Sequence, residues 1–412
     1  MPRVPTLSEV AEIVDCEHKT APPAAPGSEF GYSVGTPALR LNFINYKEAK
    51  RVDEVTYRTW SKRAELQEGD IILAREAPVG GVGLVGAGER VCLGQRTVLV
   101  RPKEGVADPL FVYYFLQSRD CQEWMRNRSS GSTVAHLNVS DIRDIPFSYF
   151  PNLEVQRELG LQIRTLDELA EHNRNLLESI LSFLVSLLEN FQRARDTSPL
   201  ENFYTVGLSG VWGKDEKTQR ESVKVNVLRG RDLEDYIDAL EVSPPQRFLS
   251  PGQLKTREPS VGEIWTAGSG SLGPSMPICS ETNQLASDGP LLYSNFVKRL
   301  LPKSDVDWFG VAWVCMVAAW QKGDFQTYRS GTAMPNLDVA HMLGGIQIPE
   351  MNEDERKQVN SLVEVFLSFE IRNEIQKCNS SKKALIELLL SGAPANPTES
   401  TKESLATEDA FK

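Results

Sequence analysis

The sequence is poor in the residues that build disulfide frameworks and metal centres. Its 412 residues include six cysteines, which are scattered along the chain and form no Cys-x-x-Cys pair. This distribution argues against both a disulfide framework and a structural zinc site. The four histidines also lie far apart in the sequence. We therefore expect no metal site in this chain.

Motifs of catalysis are lacking as well. The sequence contains no Gly-x-x-x-x-Gly-Lys-Ser/Thr phosphate loop, no Gly-x-Ser-x-Gly nucleophile elbow and no Asn-Pro-Pro-Tyr-type tetrapeptide of an adenine methyltransferase. A glycine cluster at 80–88 lacks the spacing of a dinucleotide-binding loop. We interpret that cluster as turns between strands. We expect no catalytic residues and no cofactor in this chain.

Long hydrophobic runs are also missing. No apolar run approaches the roughly 18 residues that a membrane span needs, and residues 1–6 lack the hydrophobic core of a signal peptide. A hydrophobic content of 41% and a charged content of 25% are typical of a globular protein. We expect a cytoplasmic protein that has no membrane partner.

Positive charge is in deficit, with a formal net charge of −11. This balance counts against DNA binding by bulk attraction alone. The deficit is uneven, because residues 1–150 contain 18 lysines and arginines against 19 aspartates and glutamates, whereas residues 196–350 contain 14 against 19. Such a chain can still bind DNA if its cations lie on one face, or if partner proteins supply phosphate contacts.

What the sequence does contain is a divergent internal repeat. Similar segments recur in the same order at offsets between 189 and 200 residues. The matching pairs are Leu39-Arg40 with Leu228-Arg229, Gly69-Asp70-Ile71 with Gly262-Glu263-Ile264, Gln95–Pro102 with Asn295–Pro302, Ser130–Ser132 with Ser330–Thr332, and His136–Val139 with Asn336–Val339. Because the order is kept and the offset drifts only slightly, we interpret the chain as two copies of one domain.

Each copy predicts the same order of elements. Short β-branched runs bounded by glycine and proline, at 70–73 and 97–100 and at 223–227 and 263–266, are typical of strands. An aromatic-rich helix follows in each copy. Its large residues are Phe111, Tyr114, Phe115 and Trp124 in the first copy, and Phe309, Trp313, Val317 and Trp320 in the second. Helically spaced aromatic residues usually face inward, so we interpret them as core.

A long helix is predicted at the end of the first copy. Its apolar positions alternate at steps of four and three, which is the signature of a coiled coil. These positions are Leu159, Ile163, Leu166, Ala170, Asn173, Leu177, Ile180, Leu184, Leu187 and Phe191. At about 1.5 Å per residue the helix would be roughly 50 Å long. A helix of this length needs a second helix as its partner.

The second copy offers such a helix, with a weaker seam. Its seam positions are Val359, Leu362, Phe366, Phe369, Asn373, Leu385, Leu388 and Leu389. A polar residue at a seam position can fix register, and one hypothesis is that Asn173 and Asn373 face each other. The alternative is that each helix only caps its own domain. That arrangement would leave the distal half of the first seam exposed to water.

These features together resemble the specificity subunits of type I restriction–modification systems, the HsdS family. The resemblance extends from about residue 6 to residue 390. The segments that carry it are Gly69–Arg75, Gly94–Thr97, Gly131–Thr133, His136–Asn138, Ile145-Pro146, Pro151–Arg157, Leu166-Asp167 and Asn173–Asn175. The second copy departs from the family pattern at Glu355–Lys357, which replaces the Gln-Arg pair of residues 156 and 157.

The resemblance implies an α+β fold, in which two pseudo-repeated α/β target recognition domains are separated by two long antiparallel coiled-coil helices. The domains implied are residues 1–150 and 196–350, the spacer helices are residues 151–195 and 351–392, and a disordered tail covers residues 393–412.

The function implied is that of a non-catalytic DNA specificity subunit. Each recognition domain would read one half of a bipartite double-stranded DNA target, and the helices would set the gap. Two modification subunits would dock beside the helices, bind S-adenosylmethionine and methylate adenine. Restriction subunits would supply translocation and cleavage with ATP and Mg.

Cations and small polar groups on domain loops are the candidates for DNA contact within that implied function. They are Arg75, Arg96, Arg128, Ser129 and Thr133 in the first domain, and Arg229, Lys298, Arg329 and Thr332 in the second. Two alternatives stay open. One is a DNA-binding adaptor of another defence or modification system. The other is an acidic coiled-coil interaction protein or DNA mimic, which only the net charge favours.

Overall fold

The structure is a computed structural model that describes residues 4–76, 78–129, 135–283, 289–303, 306–331 and 335–390. The chain divides into two compact units. Unit 1 comprises Met1–Glu168 and Cys378–Lys412, and unit 2 comprises Leu169–Lys377. The tail predicted to be disordered lies outside the described residues. Within the described part of the chain, no helix combines the length and the apolar character that a membrane span requires.

Unit 1 is built around two small sheets. Its elements are α1 (Leu7–Val10), β1 (Ala11–Asp15), β2 (Gly31–Val34), β3 (Lys50–Val52), α2 (Glu54–Trp60), β4 (Ile71–Ala74), β5 (Val82–Leu84), β6 (Val91–Leu93), β7 (Thr97–Pro102), α3 (Pro109–Gln117), α4 (Arg119–Arg128), α5 (Val139–Arg143) and the start of α6 (Leu153–Ala194). One sheet has the antiparallel order β1-β7-β4-β5. The other has the order β3-β2-β6, in which β2 and β6 are parallel.

Unit 2 begins with the remainder of α6 and repeats this plan. Its further elements are β8 (Thr197–Pro199), β9 (Tyr204–Val206), β10 (Val223–Leu228), α7 (Gly230–Ile237), β11 (Gln246–Leu249), α8 (Pro251–Lys255), β12 (Ile264–Ala267), β13 (Ser275–Pro277), α9 (Ser280–Asn283), β14 (Leu291–Tyr293), β15 (Val297–Pro302), α10 (Phe309–Lys322), β16 (Arg329–Ser330), β17 (Asn336–Leu337), α11 (Val339–Gly345), β18 (Gln347–Pro349), α12 (Glu353–Leu367) and the start of α13 (Phe369–Leu390). Its sheets have the orders β9-β15-β12-β13 and β11-β10-β14, with two further two-stranded pairs.

The strand registers confirm the internal duplication. In unit 1, Ile71 of β4 pairs with Val100 of β7. In unit 2, the residues 193 and 200 positions later, Ile264 and Leu300, form the same pair. The outer strands β1 and β9 likewise pair with β7 and β15 at equivalent positions. A one-residue slip would move every apolar side chain to the opposite face, so this agreement is a strong sign of a common fold.

The aromatic helices form the core of each unit, as interpreted. Phe111, Tyr114 and Phe115 of α3 are fully buried, as is Trp313 of α10. Trp124 and Trp320 are exceptions, because both are only partly buried. The Arg128 guanidinium lies 5.0 Å from the centroid of the Trp124 ring.

Burial along α6 differs from the predicted seam at every second position. The fully buried positions are Gln156, Gly160, Ile163, Ala170, Leu177, Leu181, Leu184 and Leu188. The half-buried positions are the seam residues Leu159, Leu166, Asn173, Ile180 and Leu187. Ile163, Ala170, Leu177 and Leu184 form a central line along the helix. At 3.6 residues per turn, the half-buried positions lie on one side of this line, and the buried residues Gly160, Leu181 and Leu188 lie on the other. The helix therefore has a wider apolar face than a two-position seam.

The first part of α6 contacts the last part of α13 within unit 1. Ile163 lies in the same core cluster as Ile386 and Leu390. The Lys382 ammonium lies 2.7 Å from the Asp167 carboxylate, and the Ser148 hydroxyl donates to the Leu390 carbonyl at 2.9 Å. As α13 advances from 382 to 390, its partners retreat from 167 to 148. The two helices are therefore antiparallel here, as the resemblance implied.

The second spacer helix, predicted as one element over 351–392, consists of two helices separated at Ser368. The Ser368 backbone leaves the helical conformation with ψ 118°, and the Phe369 amide donates to the Glu281 carboxylate at 3.0 Å. The buried Arg372 guanidinium donates to the Phe366 and Tyr236 carbonyls. These partners satisfy the backbone groups that the break leaves open.

The first of these two helices, α12, caps its own domain. Phe366 is fully buried, with its ring centroid 5.4 Å from that of Trp313 in α10. The Asn360 side chain bonds to the backbone of Asp307 and Gly310. The alternative of own-domain capping thus holds for α12, whereas the end of α13 packs in unit 1. Phe369 and Asn373 are half-buried, Leu385 is partly buried, and the Leu389 side chain lies outside the described residues.

Candidate nucleic-acid interface

One edge of the main sheet in unit 1 collects polar side chains from four segments. Asp15 at the end of β1 pairs with Val98, and Ala74 at the end of β4 pairs with Thr97, so these strand ends lie side by side. An isolated bridge joins Glu76 to His136. We call this region edge 1 and define it by Asp15, Arg75, Glu76, Arg96 and His136.

Glu76 holds the two most exposed members of edge 1. Its Oε2 lies 2.9 Å from Nε of Arg96, and its Oε1 lies 2.6 Å from Nδ1 of His136. The exposed fractions of the side chains are 16% for Glu76, 48% for Arg96 and 31% for His136. A mostly buried carboxylate therefore orients a cation and an imidazole at the surface.

The backbone of Arg96 is in the left-handed region, with φ 68°. This conformation costs a residue with a Cβ about 1–2 kcal/mol, and such strain is concentrated at functional sites. The strained turn places Arg96 at the tip before β7. Its carbonyl accepts a hydrogen bond from the Arg75 amide at 3.0 Å.

Arg75 lies inside edge 1 rather than on its surface. The residue is only 8% exposed, and Nη1 lies 3.6 Å from the Asp15 carboxylate. Its carbonyl accepts from the Leu137 amide at 2.9 Å. The guanidinium of Arg75 is therefore not part of the exposed surface of edge 1, because it is buried beside a carboxylate. Its contact with DNA stays a prediction.

The same edge contains three side chains with metal-ligating atoms. Donor atoms of Asp15, Cys16 and His18 all lie within 4.8 Å of one another. The same Asp15 oxygen lies 3.0 Å from His18 and 3.6 Å from the Arg75 guanidinium. Because that guanidinium would repel a divalent cation, the electrostatics disfavour a metal here.

Unit 2 repeats this edge through the same backbone hydrogen bonds. The Gly268 amide donates to the Phe296 carbonyl at 2.8 Å, and the Leu337 amide donates to the Gly268 carbonyl at 3.0 Å. An isolated bridge joins Ser269 to Asn336. We call this region edge 2 and define it by Leu208, Gly268, Ser269, Phe296 and Asn336. The two edges thus share these backbone hydrogen bonds and this bridge.

The side chains at equivalent positions differ in chemistry. Edge 2 replaces Glu76 by Ser269, His136 by Asn336 and Arg96 by Phe296. The Ser269 hydroxyl hydrogen-bonds to the Asn336 side chain. Leu208 and Phe296 expose 55% and 47% of their surface. One edge therefore presents ionic groups, and the other presents an amide, a hydroxyl and apolar surface.

The remaining predicted DNA contacts of the first domain lie elsewhere in unit 1. Arg128 stacks on Trp124 and lies 3.9 Å from Asp141. The Ser129 hydroxyl donates to the Met125 carbonyl at a helix end. Thr133 lies outside the described residues. No described contact joins Arg128 or Ser129 to edge 1.

Three of the four remaining predictions in the second domain can be placed. Arg229 is the N-cap residue of α7 and pairs with the buried Asp232 at 2.7 Å. Lys298 lies in β15 opposite Thr266, and a side chain at Gly268 would collide with it. Arg329 is exposed in β16, whose partner strand β17 begins with Asn336. Thr332 lies outside the described residues.

Sequence reasoning missed Glu76, His136, Ser269, Phe296 and Asn336 as site residues. A signal for them was present. The offset of 200 residues already aligns Arg96 with Phe296 and His136 with Asn336. Only the strand register shows that the Glu76 and Ser269 positions join them.

A polar contact between helices marks the interior of unit 1 near Asp167. Its Oδ2 accepts a hydrogen bond from the Tyr114 hydroxyl at 2.8 Å, while Oδ1 pairs with Lys382. Burial, together with the Asp167 charge, raises the pKa of Tyr114 above its ordinary value. The hydroxyl therefore stays protonated and acts as a donor.

In unit 2, α6 carries an apolar stripe that faces solvent. Leu169, Leu176 and Phe183 follow one another at steps of seven residues and are 44–56% exposed. Half-buried Asn173 and Ile180 lie between them in the sequence, and half-buried Leu187 follows Phe183. We call Leu169, Leu176 and Phe183 the outer stripe. Spacing of this kind is typical of a helix face that packs against another helix.

The duplicated sheets with equivalent edges and the antiparallel helices define a two-copy α+β protein. Residues 4–182 match the family described as type I restriction modification DNA specificity domain. This segment is thus similar to the specificity subunits of type I restriction–modification systems.

Individual relatives share part of the sequence. The chain is 26% identical over 142 residues to the type I restriction enzyme MjaIX specificity subunit of Methanocaldococcus jannaschii, which is 34% of this chain and 31% of that protein. It is 23% identical over 141 residues to the EcoBI specificity subunit of Escherichia coli, which is 33% of this chain and 30% of that protein. The match thus spans about a third of the length of these curated relatives.

The chain is also similar to solved structures at low sequence identity. The S subunit of a type I restriction–modification system from M. genitalium gives a TM-score of 0.47 at 14% identity, covering 93% of this chain and 95% of that one. The HsdS subunit from Thermoanaerobacter tengcongensis gives a TM-score of 0.36 at 12% identity, covering 95% and 96%.

Proposed function

We propose that this chain is the non-catalytic DNA specificity subunit of a type I restriction–modification complex, in which each domain binds one half of a bipartite double-stranded DNA sequence. The observation that carries the proposal is the recurrence of the same backbone bonds at edges 1 and 2, with different side chains on them. A duplicated binding surface fits two half-sites, and its divergence fits half-sites of different sequence.

The recognition domains in this proposal are residues 1–150 and 196–350, and the spacer is formed by residues 151–195 together with α13, the part of the predicted helix 351–392 that follows the break at Ser368. Helix α6 contains 42 residues, which corresponds to about 63 Å. One turn of B-DNA measures about 34 Å. A spacer of this length favours a constant gap of more than one turn between the half-sites. An Asn173–Asn373 contact that fixes the helix register stays part of this proposal.

The outer stripe supports docking of modification subunits. Leu169, Leu176 and Phe183 are apolar and exposed, and apolar residues repeated every seven positions suit packing against a partner. Two modification subunits would cover this surface and bring S-adenosylmethionine. Restriction subunits would bring ATP and Mg. The net charge of −11 fits this division, because partners would then supply many of the phosphate contacts.

The test is long-read methylation profiling of DNA from cells that express this chain together with type I modification subunits. We expect a bipartite methylated motif with a constant gap. Cells that express the modification subunits alone are the control and should lack the motif. A methylation pattern that does not depend on the chain would overturn the proposal. A gel-shift assay of the complex distinguishes the DNA mimic, which would not retard duplex DNA.

A further inference from the structure

We propose that positions 76, 96 and 136 of edge 1 and positions 269, 296 and 336 of edge 2 are the base-reading positions, with edge 1 recognising a G·C pair and edge 2 an A·T pair. This inference rests on the proposed function, namely that each domain binds one half-site. It adds which side chains read bases and which base pair each set reads.

The first step is that these positions are fixed by backbone contacts shared between the domains. Arg75 and Gly268 each donate to the residue at the following tip, Arg96 or Phe296. Each then accepts from the leucine that follows His136 or Asn336. These two hydrogen bonds are therefore kept in both domains while the exposed side chains vary, although of the two tip residues only Arg96 has a positive φ. This is the arrangement expected where a fold keeps its docking geometry and changes its specificity.

The second step is that edge 1 suits a base edge better than a phosphate. A phosphate contact requires only a cation, and a neighbouring carboxylate would repel it. Here Glu76 touches both Arg96 and His136. A guanidinium held by a carboxylate on its Nε side can present its terminal nitrogens as a fork, which matches O6 and N7 of guanine. The Glu76 carboxylate can accept from N4 of the paired cytosine.

The third step is that edge 2 lacks a cation at the equivalent positions. Phe296 is 47% exposed. Its ring has neither a positive charge nor a hydrogen-bond donor with which to bind a phosphate. Apolar side chains contact the thymine methyl group, and the amide of asparagine matches N6 and N7 of adenine. Phe296 and Asn336 together therefore suit an A·T pair.

The test uses the wild-type complex of this chain with modification subunits, and DNA analogues in the motif found by methylation profiling. Substituting 7-deazaguanine removes N7, and substituting deoxyuridine for thymidine removes the methyl group. We expect one guanine in one half-site at which 7-deazaguanine weakens binding by about tenfold or more. We expect one thymidine in the other half-site at which deoxyuridine weakens binding severalfold. This experiment requires no variant to fold.

Two variants then assign the edges. In Arg96→Ala the 7-deazaguanine effect should vanish while the deoxyuridine effect remains, and Phe296→Ala should give the reverse. Arg58→Ala, which removes a surface arginine paired with Glu54 in α2, is the matched control and should keep both effects. A wild-type complex indifferent to both analogues in both half-sites would overturn this inference while leaving the proposed function intact. Loss of the bipartite motif itself would instead overturn the proposed function.

Discussion

Asp167 of α6 lies 2.7 Å from the Lys382 ammonium of α13, although 215 residues separate them in the sequence. Each side chain of this ion pair is 17% exposed. The other oxygen of Asp167 accepts from the buried Tyr114 hydroxyl. One carboxylate therefore joins both long helices to the aromatic helix α3.

Replacing Asp167 by alanine should destabilise unit 1. The change leaves the Tyr114 hydroxyl and the Lys382 ammonium without their shared partner in a largely buried place, at a cost of about 2–4 kcal/mol. Chemical denaturation measures this loss, and hydrogen exchange of 378–390 should accelerate. Arg58→Ala, which removes only a surface ion pair, should change little. Equal effects of the two variants would contradict a structural role for the Asp167 contact.

Arg372 should tolerate methionine better than alanine. Burial lowers the pKa of Arg372, whose guanidinium lies 3.8 Å from the centroid of the Tyr236 ring. Arg372→Ala creates a cavity and removes bonds to two carbonyls, which together cost about 2–5 kcal/mol. Arg372→Met keeps much of the volume and removes a desolvated charge. The urea midpoint of Arg372→Met should therefore be close to or somewhat below that of the wild type, and that of Arg372→Ala should be clearly lower. Equal midpoints for the two variants would contradict this prediction.

The stability of unit 2 should depend on pH through Glu355. The Arg195 guanidinium and the Asn352 amide lower the pKa of Glu355 from 4.5 to about 2. The stabilisation is therefore fully present above pH 4.5 and is lost as the pH falls toward 2. The difference in denaturation midpoint between wild type and Glu355→Gln should be constant near neutrality and shrink below pH 4.5. Glu353→Gln, in the same helical turn, is the control and should show a smaller difference throughout.

Phe183→Asp should prevent assembly without unfolding the chain. The Phe183 ring is 56% exposed, so a carboxylate there costs the isolated chain little. In a covered interface the same charge would be desolvated and unpaired. Co-purification with modification subunits should therefore fail, while the thermal midpoint of the chain alone stays unchanged. Ser182→Asp adds the same charge at the adjacent exposed position and should leave assembly intact. Normal assembly of Phe183→Asp would exclude the outer stripe as the docking surface.

Much of the fold could be predicted because the sequence contains an internal repeat. Segments such as Gln95–Pro102 and Asn295–Pro302 keep their order and spacing, and the registers of β7 and β15 follow that alignment. The long α6 helix was predicted because its apolar period is sustained over many turns. The set of α6 positions that are buried was not predicted. Two seams of apolar residues, offset from each other by one position, both fit the same wide apolar face.

The break at Ser368 and the polar edges escaped prediction for a different reason. Nothing local marks the break, since its backbone groups are satisfied by Glu281 and Arg372, which a linear pattern does not bring together. Likewise, the sequence alone predicts Arg75 to be an exposed cation, whereas in the structure it is buried beside Asp15. The importance of Glu76 depends on two partners, 20 and 60 residues away.

The interior of unit 1 includes Ile386 and Leu390, which pack with Ile163. During translation, the sheets of this unit are therefore synthesised long before Ile386 and Leu390, which complete its hydrophobic core. During that interval the nascent chain exposes the apolar flank of α6 around Ile163. Folding of unit 1 consequently waits for residues 378–390, and translation must pass Leu390 before this unit is protected from proteases and aggregation.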